Sequence, residues 1–122
     1  MKIFVPGRIC LFGEHSDWAG GYRRINANIE QGYTLISGTN QGIYAEVEPH
    51  PNSLILTSTT TDGEVVGPYE IPMEAEALQK EAQSGGYWSY IAGTAYQILT
   101  HYHVRGLVIN NYKTDMPIKK GL

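Results

Sequence analysis

Residues 6–22 read P-G-R-I-C-L-F-G-E-H-S-D-W-A-G-G-Y, and this stretch is the most informative part of the chain. It shows no clean helical or strand period, and four glycines interrupt it. A short β-rich run at residues 2–5 precedes it and is closed by Pro6 and Gly7. We therefore predict a long loop or irregular turn over residues 7–21, and ordered loops of this length often carry a function.

Charged and polar side chains are concentrated in this predicted loop. Arg8, Glu14, His15 and Asp17 lie within ten positions, among glycines that allow backbone to approach a ligand closely. Carboxylates accept hydrogen bonds, and imidazole donates or accepts them, so the mixture suits a polyhydroxylated ligand such as a sugar. Arg8 would neutralise charge on a transferring phosphoryl group. Two alternatives stay open: a surface loop in which Arg8 pairs with Glu14 or Asp17, and a metal site built from Glu14, His15 and Asp17.

The next third of the chain predicts a meander of antiparallel strands. An aspartate–glycine pair at residues 62–63 predicts a hairpin turn that leads into residues 65–66. The glycine-flanked segment 38–42 is predicted to separate the first two strands. The β-branched or aromatic runs are residues 33–37, 43–47 and 54–57.

The pattern then changes from strands to helices. Residues 73–83 are rich in helix formers and follow Pro72, and residues 88–103 carry one apolar face at helical spacing. Residues 107–112 return to a strand pattern, so the chain is predicted to be α+β. Because a last strand without a following helix leaves an apolar sheet face uncovered, we expect the chain to be the first part of a larger protein.

Composition excludes several functional classes. The chain has 122 residues, which is typical of a single domain, and its 9 Lys and Arg against 12 Asp and Glu argue against a nucleic-acid partner. The longest stretch without a charge, residues 84–104, is too polar for a membrane helix. Cys10 is the single cysteine and fits a reducing compartment, so we expect a cytoplasmic location.

Three segments resemble motifs of the GHMP small-molecule kinases, and of galactokinases in particular. Residues 6–22 are similar to the galactokinase motif P-G-R-V-N-L-I-G-E-H-T-D-Y-N-G-G-F. Residues 88–93, W-S-Y-I-A-G, resemble the W-x-Y-V-x-G helix of that family. Residues 115–122, D-M-P-I-K-K-G-L, resemble the run into the phosphate-binding motif P-x-x-x-G-L-S-S-S-A. The matches occur in family order, but residues 23–30 are more polar than the family's strand, which leaves the identity of the sugar open.

The resemblance implies a fold and a reaction. The fold is the α+β, ribosomal-S5-domain-2-like N-terminal half of a GHMP kinase, with an antiparallel or mixed sheet and helices on one face. Residues 1–122 would be part of that N-terminal domain, ending before the phosphate-binding loop, and the C-terminal domain would be absent. The reaction is the phosphorylation of a small sugar hydroxyl, with ATP and Mg²⁺ as cofactors.

The resemblance also implies roles for individual residues. Arg8 would be catalytic beside the transferred phosphoryl group, and Glu14, His15 and Asp17 would bind the sugar. Trp88 would lie near the adenine, although a core aromatic is the alternative for this residue. Gly121 would belong to the nucleotide site.

The Mg²⁺ ligands and the phosphate-loop serines are expected beyond Leu122. The chain is therefore expected to be inactive alone and to self-associate through uncovered apolar surface. A mevalonate-type GHMP kinase and a non-catalytic galactokinase-like sensor are the alternative functions.

Overall fold

A computed structural model of the chain describes residues 1–16 and 18–116. Five strands form one sheet in the order β1-β2-β5-β3-β4, with two α-helices between β4 and β5 and a short 3₁₀ helix at Ala19–Arg24. The strands are β1 (Lys2–Phe12), β2 (Leu35–His50), β3 (Ser53–Thr59), β4 (Val65–Pro72) and β5 (Gly106–Thr114). The helices are α1 (Ala75–Gln83) and α2 (Ser89–His101).

The α+β class and the mixed sheet predicted from the sequence are confirmed, but the simple meander is wrong. β5 lies between β2 and β3, antiparallel to β2 and parallel to β3. The chain leaves β4 through α1 and α2 and returns in the direction of β3, which is the connection that a parallel pair requires. Both helices, predicted from their residue patterns, are present within two residues of the predicted starts.

Two of the predicted breaks in the strands are also wrong. β1 continues through Pro6 and Gly7 to Phe12, and β2 is one strand of 16 residues that runs through the predicted break at residues 38–42. The two strands pair with each other in this region, Pro6 opposite Gly42 and Arg8 opposite Gly38, with an irregularity at Gly7. An edge strand tolerates proline, and the partner strand supplies the pairing that local propensity does not favour.

The core lies between the helices and one face of the sheet. Leu54 and Leu56 alternate along β3 and are 2% and 1% exposed, as the two-residue period of a strand requires. Leu78 of α1 is fully buried against this face, and Ala92 of α2 is buried with it. The small alanine allows the helix backbone to approach the sheet closely, and the packed core fixes the orientation of β3 and β5.

Apolar surface is left uncovered beside this core. An open apolar cavity of about 700 Å³ lies between α2 and β5, with Ile91 and Ile98 on the helix side and Leu107 and Ile109 on the sheet side. Phe12, at the end of β1, is 73% exposed. Self-association through such surface stays a prediction. Within the described residues, no helix is long and apolar enough to cross a membrane.

Candidate functional site

A tight turn follows β1 and forms the first part of the candidate site. The backbone of Gly13 has φ +84°, and a Cβ at this position would overlap the carbonyl oxygen of Tyr33, so only glycine fits. His15 also has a positive φ, 70°, which costs free energy for a residue with a side chain. We call residues 13–16 the 13–16 turn; it is held in a conformation that suits Gly13 but that His15 does not favour.

Hydrogen bonds to one carbonyl oxygen hold the 13–16 turn in place. The Gly13 oxygen accepts from the Ser16 amide at 3.0 Å, from Ser16 Oγ at 2.7 Å and from Thr34 Oγ1 at 3.1 Å. Ser16 Oγ also lies 3.0 Å from the carbonyl oxygen of Tyr33. These contacts connect the end of β1 to the segment that leads into β2.

The turn presents two of the predicted sugar-binding residues to solvent. Glu14 and His15 are its two central residues, and both are exposed. The third, Asp17, lies outside the described residues. The ion pairs found in residues 1–16 and 18–116 join Lys2 to Glu46 and Lys113 to Asp115, so the alternative pairing of Arg8 with Glu14 does not occur. The same residues contain no group of three or more His, Cys, Asp or Glu positioned to hold a metal ion.

Arg8 lies on β1 and not in the turn. It is exposed and opposite Gly38, so the predicted loop over residues 7–21 is a strand up to Phe12. Phe12 is four residue steps along the strand from Arg8, a distance of about 13 Å along the backbone. Sequence reasoning placed Arg8, Glu14 and His15 in one loop, whereas the structure distributes them along one strand and the turn at its end.

The segment that follows β5 contacts β2 at Gly42 and β1 at Gly7, the residue before Arg8. The Asp115 amide donates to the carbonyl oxygen of Gly42 at 2.9 Å, and the side chain of Met116 lies against Gly7. A Cβ on Gly7 would overlap Met116 Sδ and would lie 2.8 Å from Thr39 Oγ1, so the absence of a side chain at Gly7 permits this approach. The structure therefore brings the residue beside Arg8 into contact with the segment that precedes residues 117–122. Gly121, predicted for the nucleotide site, lies outside the described residues.

Trp88 lies in the core. It is 8% exposed, its ring is parallel to that of Tyr69 at a centroid distance of 6.0 Å, and it meets Tyr87 edge-on at 4.6 Å. The Tyr69 hydroxyl donates to Glu81 Oε2 at 2.9 Å, and this hydrogen bond to a carboxylate raises the pKa of Tyr69 above its ordinary value. The core placement agrees with the alternative for Trp88, and its contact with adenine stays a prediction.

A polar cluster that sequence reasoning missed lies where the parallel strands β3 and β5 end. Asn111 Nδ2 donates to Thr114 Oγ1 at 3.0 Å and to Ser58 Oγ at 3.4 Å, and the Tyr87 hydroxyl donates to Ser58 Oγ at 3.2 Å. The carboxyl ends of parallel strands are a common place for ligands. The available signal was the amide pair Asn110 and Asn111, which follows the apolar run of residues 107–109, but the partner Ser58 is far away in the sequence.

Lys113 is the charged group at the end of β5. Its ammonium lies 3.0 Å from Asp115 Oδ1 and 4.6 Å from the centre of the Tyr44 ring. The hydrogen bond to Asp115 is the main reason that the pKa of Lys113 is raised. The lysine therefore stays charged beside the segment that contacts Gly7.

Comparisons with known proteins identify a solved structure with a similar fold. No model of a protein family matches the sequence, and no curated protein sequence matches it. The structure is similar to the crystal structure of the Methanococcus jannaschii mevalonate kinase, with a TM-score of 0.65 and 19% sequence identity. The alignment covers 100% of this chain and 34% of that protein, so the chain spans about a third of its length. The likeness establishes that the chain has the same fold as part of that mevalonate kinase.

Proposed function

We propose that this chain is the N-terminal part of a GHMP-type kinase that uses ATP to phosphorylate a hydroxyl group of a small sugar. The observation that carries the proposal is the contact between Met116 and Gly7, which sets the segment after β5 against the residue that precedes Arg8. The resemblance assigns the phosphoryl-transfer arginine to one side of this contact and the approach to the phosphate-binding motif to the other. The fold shared with a mevalonate kinase supports this arrangement.

The proposed reaction depends on positioning and on charge neutralisation, which is the usual division of work in phosphoryl transfer. Bound ATP with Mg²⁺ supplies the phosphoryl group. Trp88 and Gly121 are proposed to contact the nucleotide, and the other residues that bind ATP and Mg²⁺ are proposed to follow residue 122. Arg8 would donate hydrogen bonds to the phosphoryl oxygens as charge develops on them. Glu14, His15 and Asp17 would hold sugar hydroxyls through acceptor oxygens and the imidazole ring.

A mevalonate-type kinase is the second candidate, and the solved structure with this fold favours it. The charge of the 13–16 turn distinguishes the two candidates. Mevalonate is a carboxylate, and Glu14, exposed on the turn, would repel it. A neutral polyol has no such repulsion and gains from the acceptor oxygens, which is why we place the sugar first.

The test is a phosphorylation assay on the full-length protein with ATP, Mg²⁺ and a panel of galactose, related sugars and mevalonate. We expect turnover of at least one sugar and none of mevalonate. Turnover of mevalonate alone would favour the second candidate, and sugar binding without turnover would identify a sensor. If the protein neither binds nor phosphorylates any of the sugars, the proposal is refuted.

The assay includes a matched pair of arginine variants. Arg8→Ala is expected to abolish most turnover, whereas Arg23→Ala, at an exposed arginine of the 3₁₀ helix, is expected to leave it unchanged. Equal activity of the two variants would remove the evidence for a specific role of Arg8.

A further inference from the structure

The side chain of Ser16 is directed at the backbone. Its Oγ lies 2.7 Å from the Gly13 oxygen and 3.0 Å from the Tyr33 oxygen, so its single proton is shared between two carbonyl groups. Ser16 is half-buried, whereas Glu14 and His15, which precede it, are exposed. The serine is therefore arranged to hold the turn, and its neighbours are arranged to meet a ligand.

We infer that Ser16, assisted by Thr34, is a positioning residue that fixes Glu14 and His15 in the orientation needed to bind the substrate. The inference rests on the proposed function, because it takes the 13–16 turn as the substrate-binding element. It assigns Ser16 no contact with the substrate. Its effect on binding would be transmitted through the backbone of the turn.

The backbone conformation of the turn shows why these hydrogen bonds are needed. A four-residue turn with a positive φ at its third residue normally has glycine or asparagine there. Here the third residue is His15, with φ 70°. A conformation of this kind persists only where surrounding contacts hold it, and the three hydrogen bonds on the Gly13 oxygen are those contacts.

A turn that is already ordered in the free protein should also bind its ligand more tightly. A turn that is free to rearrange must be ordered when the ligand binds, and that ordering lowers the affinity. Ser16 and Thr34 connect the turn to two residues of the segment before β2, so the ordering is complete in the free protein. Removing the Ser16 hydroxyl should weaken sugar binding although every group proposed to touch the sugar is still present.

The experiment compares Ser16→Ala, Ser16→Thr and Ser37→Ala in the full-length protein. Ser16→Thr keeps the hydroxyl, and Ser37→Ala removes an exposed hydroxyl that bonds only to its neighbour Gly38. The first readout is hydrogen–deuterium exchange of the Ser16 amide and the peptide around it, which does not depend on any activity. We expect exchange to be roughly tenfold faster in Ser16→Ala, the effect of losing one hydrogen bond, and unchanged in the other two variants.

The second readout is steady-state kinetics with a sugar that the wild-type protein phosphorylates. We expect the KM for the sugar to rise roughly tenfold in Ser16→Ala, with a smaller change in kcat and an unchanged KM for ATP. A purely structural defect would lower the amount of active protein, and hence kcat, without this selective change in KM. Ser16→Thr is expected to restore the wild-type KM.

The two readouts separate the possible failures. Unchanged exchange in Ser16→Ala would show that the hydroxyl does not hold the turn. Faster exchange with an unchanged KM, or no recovery in Ser16→Thr, would overturn the positioning role. A wild-type protein that phosphorylates no sugar would overturn the proposed function, and the positioning role with it, while the exchange data would still decide whether Ser16 holds the turn.

Discussion

Gly13→Ala should disturb the 13–16 turn more than any other single methyl group added to it. With φ +84°, Gly13 occupies a left-handed conformation that costs a residue with a Cβ about 1–2 kcal/mol. The added methyl group would also overlap the Tyr33 oxygen, so the turn must move away and weaken the hydrogen bonds that converge on the Gly13 oxygen. Losing one or two of them adds about 1–2 kcal/mol. We therefore expect the free energy of unfolding to fall by about 2–4 kcal/mol.

Urea denaturation, followed by circular dichroism, measures this change. The matched control is Gly21→Ala in the 3₁₀ helix, where nothing lies within 4 Å of the added methyl group. Because alanine restricts the unfolded chain more than glycine does, the control should be neutral or more stable by up to about 1 kcal/mol. A Gly13→Ala protein as stable as Gly21→Ala would refute the reasoning, since neither the left-handed backbone nor the contact with Tyr33 would then contribute.

Four further substitutions test the core and the proposed site. Leu56→Ala, at a residue 1% exposed, should lower the free energy of unfolding by about 2–5 kcal/mol in urea denaturation, and a loss below 1 kcal/mol would contradict the packing described here. Arg8→Ala in the full-length protein should lower kcat by orders of magnitude with little change in sugar affinity, and a normal kcat would leave Arg8 without a catalytic role. Asp17→Ala should weaken sugar binding by about 1.5–3 kcal/mol in calorimetry and leave ATP binding intact, whereas unchanged sugar binding would refute its assignment. Because the pKa of Tyr69 is raised above 10.0, its hydrogen bond to Glu81 stabilises the fold below that pH and is lost as the pH rises through the raised pKa. Tyr69→Phe should therefore remove the part of the tyrosinate absorbance that titrates last. If that part is still present in Tyr69→Phe, the hydrogen bond is contradicted.

The helices and the hairpin could be predicted because their signals are local. Pro72 marks the approach to α1, and Gly63, with φ +83°, occupies the turn between β3 and β4. The extents of β1 and β2 could not be predicted in the same way. Their glycines and Pro6 disfavour a strand locally, and only the opposite strand, which is distant in the sequence, compensates by pairing.

The candidate site shows the same division between local and distant information. The residue types of the 13–16 turn indicated a ligand, and the turn does expose Glu14 and His15. The contact of Met116 with Gly7 joins the two ends of the described chain, and no spacing in the sequence predicts it. The sequence left two roles open for Trp88, contact with a ligand and packing in the core. It could not decide between them, because the aromatic neighbours of Trp88 lie on another strand and in a loop.

The geometry of β1 limits where a substrate of the proposed reaction can lie. The backbones of Arg8 and Phe12 are about 13 Å apart along the strand, and the 13–16 turn follows Phe12. An extended arginine side chain reaches about 7 Å from its Cα, given bond lengths near 1.5 Å. A sugar held by the turn and phosphorylated beside Arg8 must therefore lie along β1, with the arginine extended toward the turn. Because Met116 lies near the Arg8 end of this path, the proposed phosphoryl donor would approach from that end and the sugar from the turn.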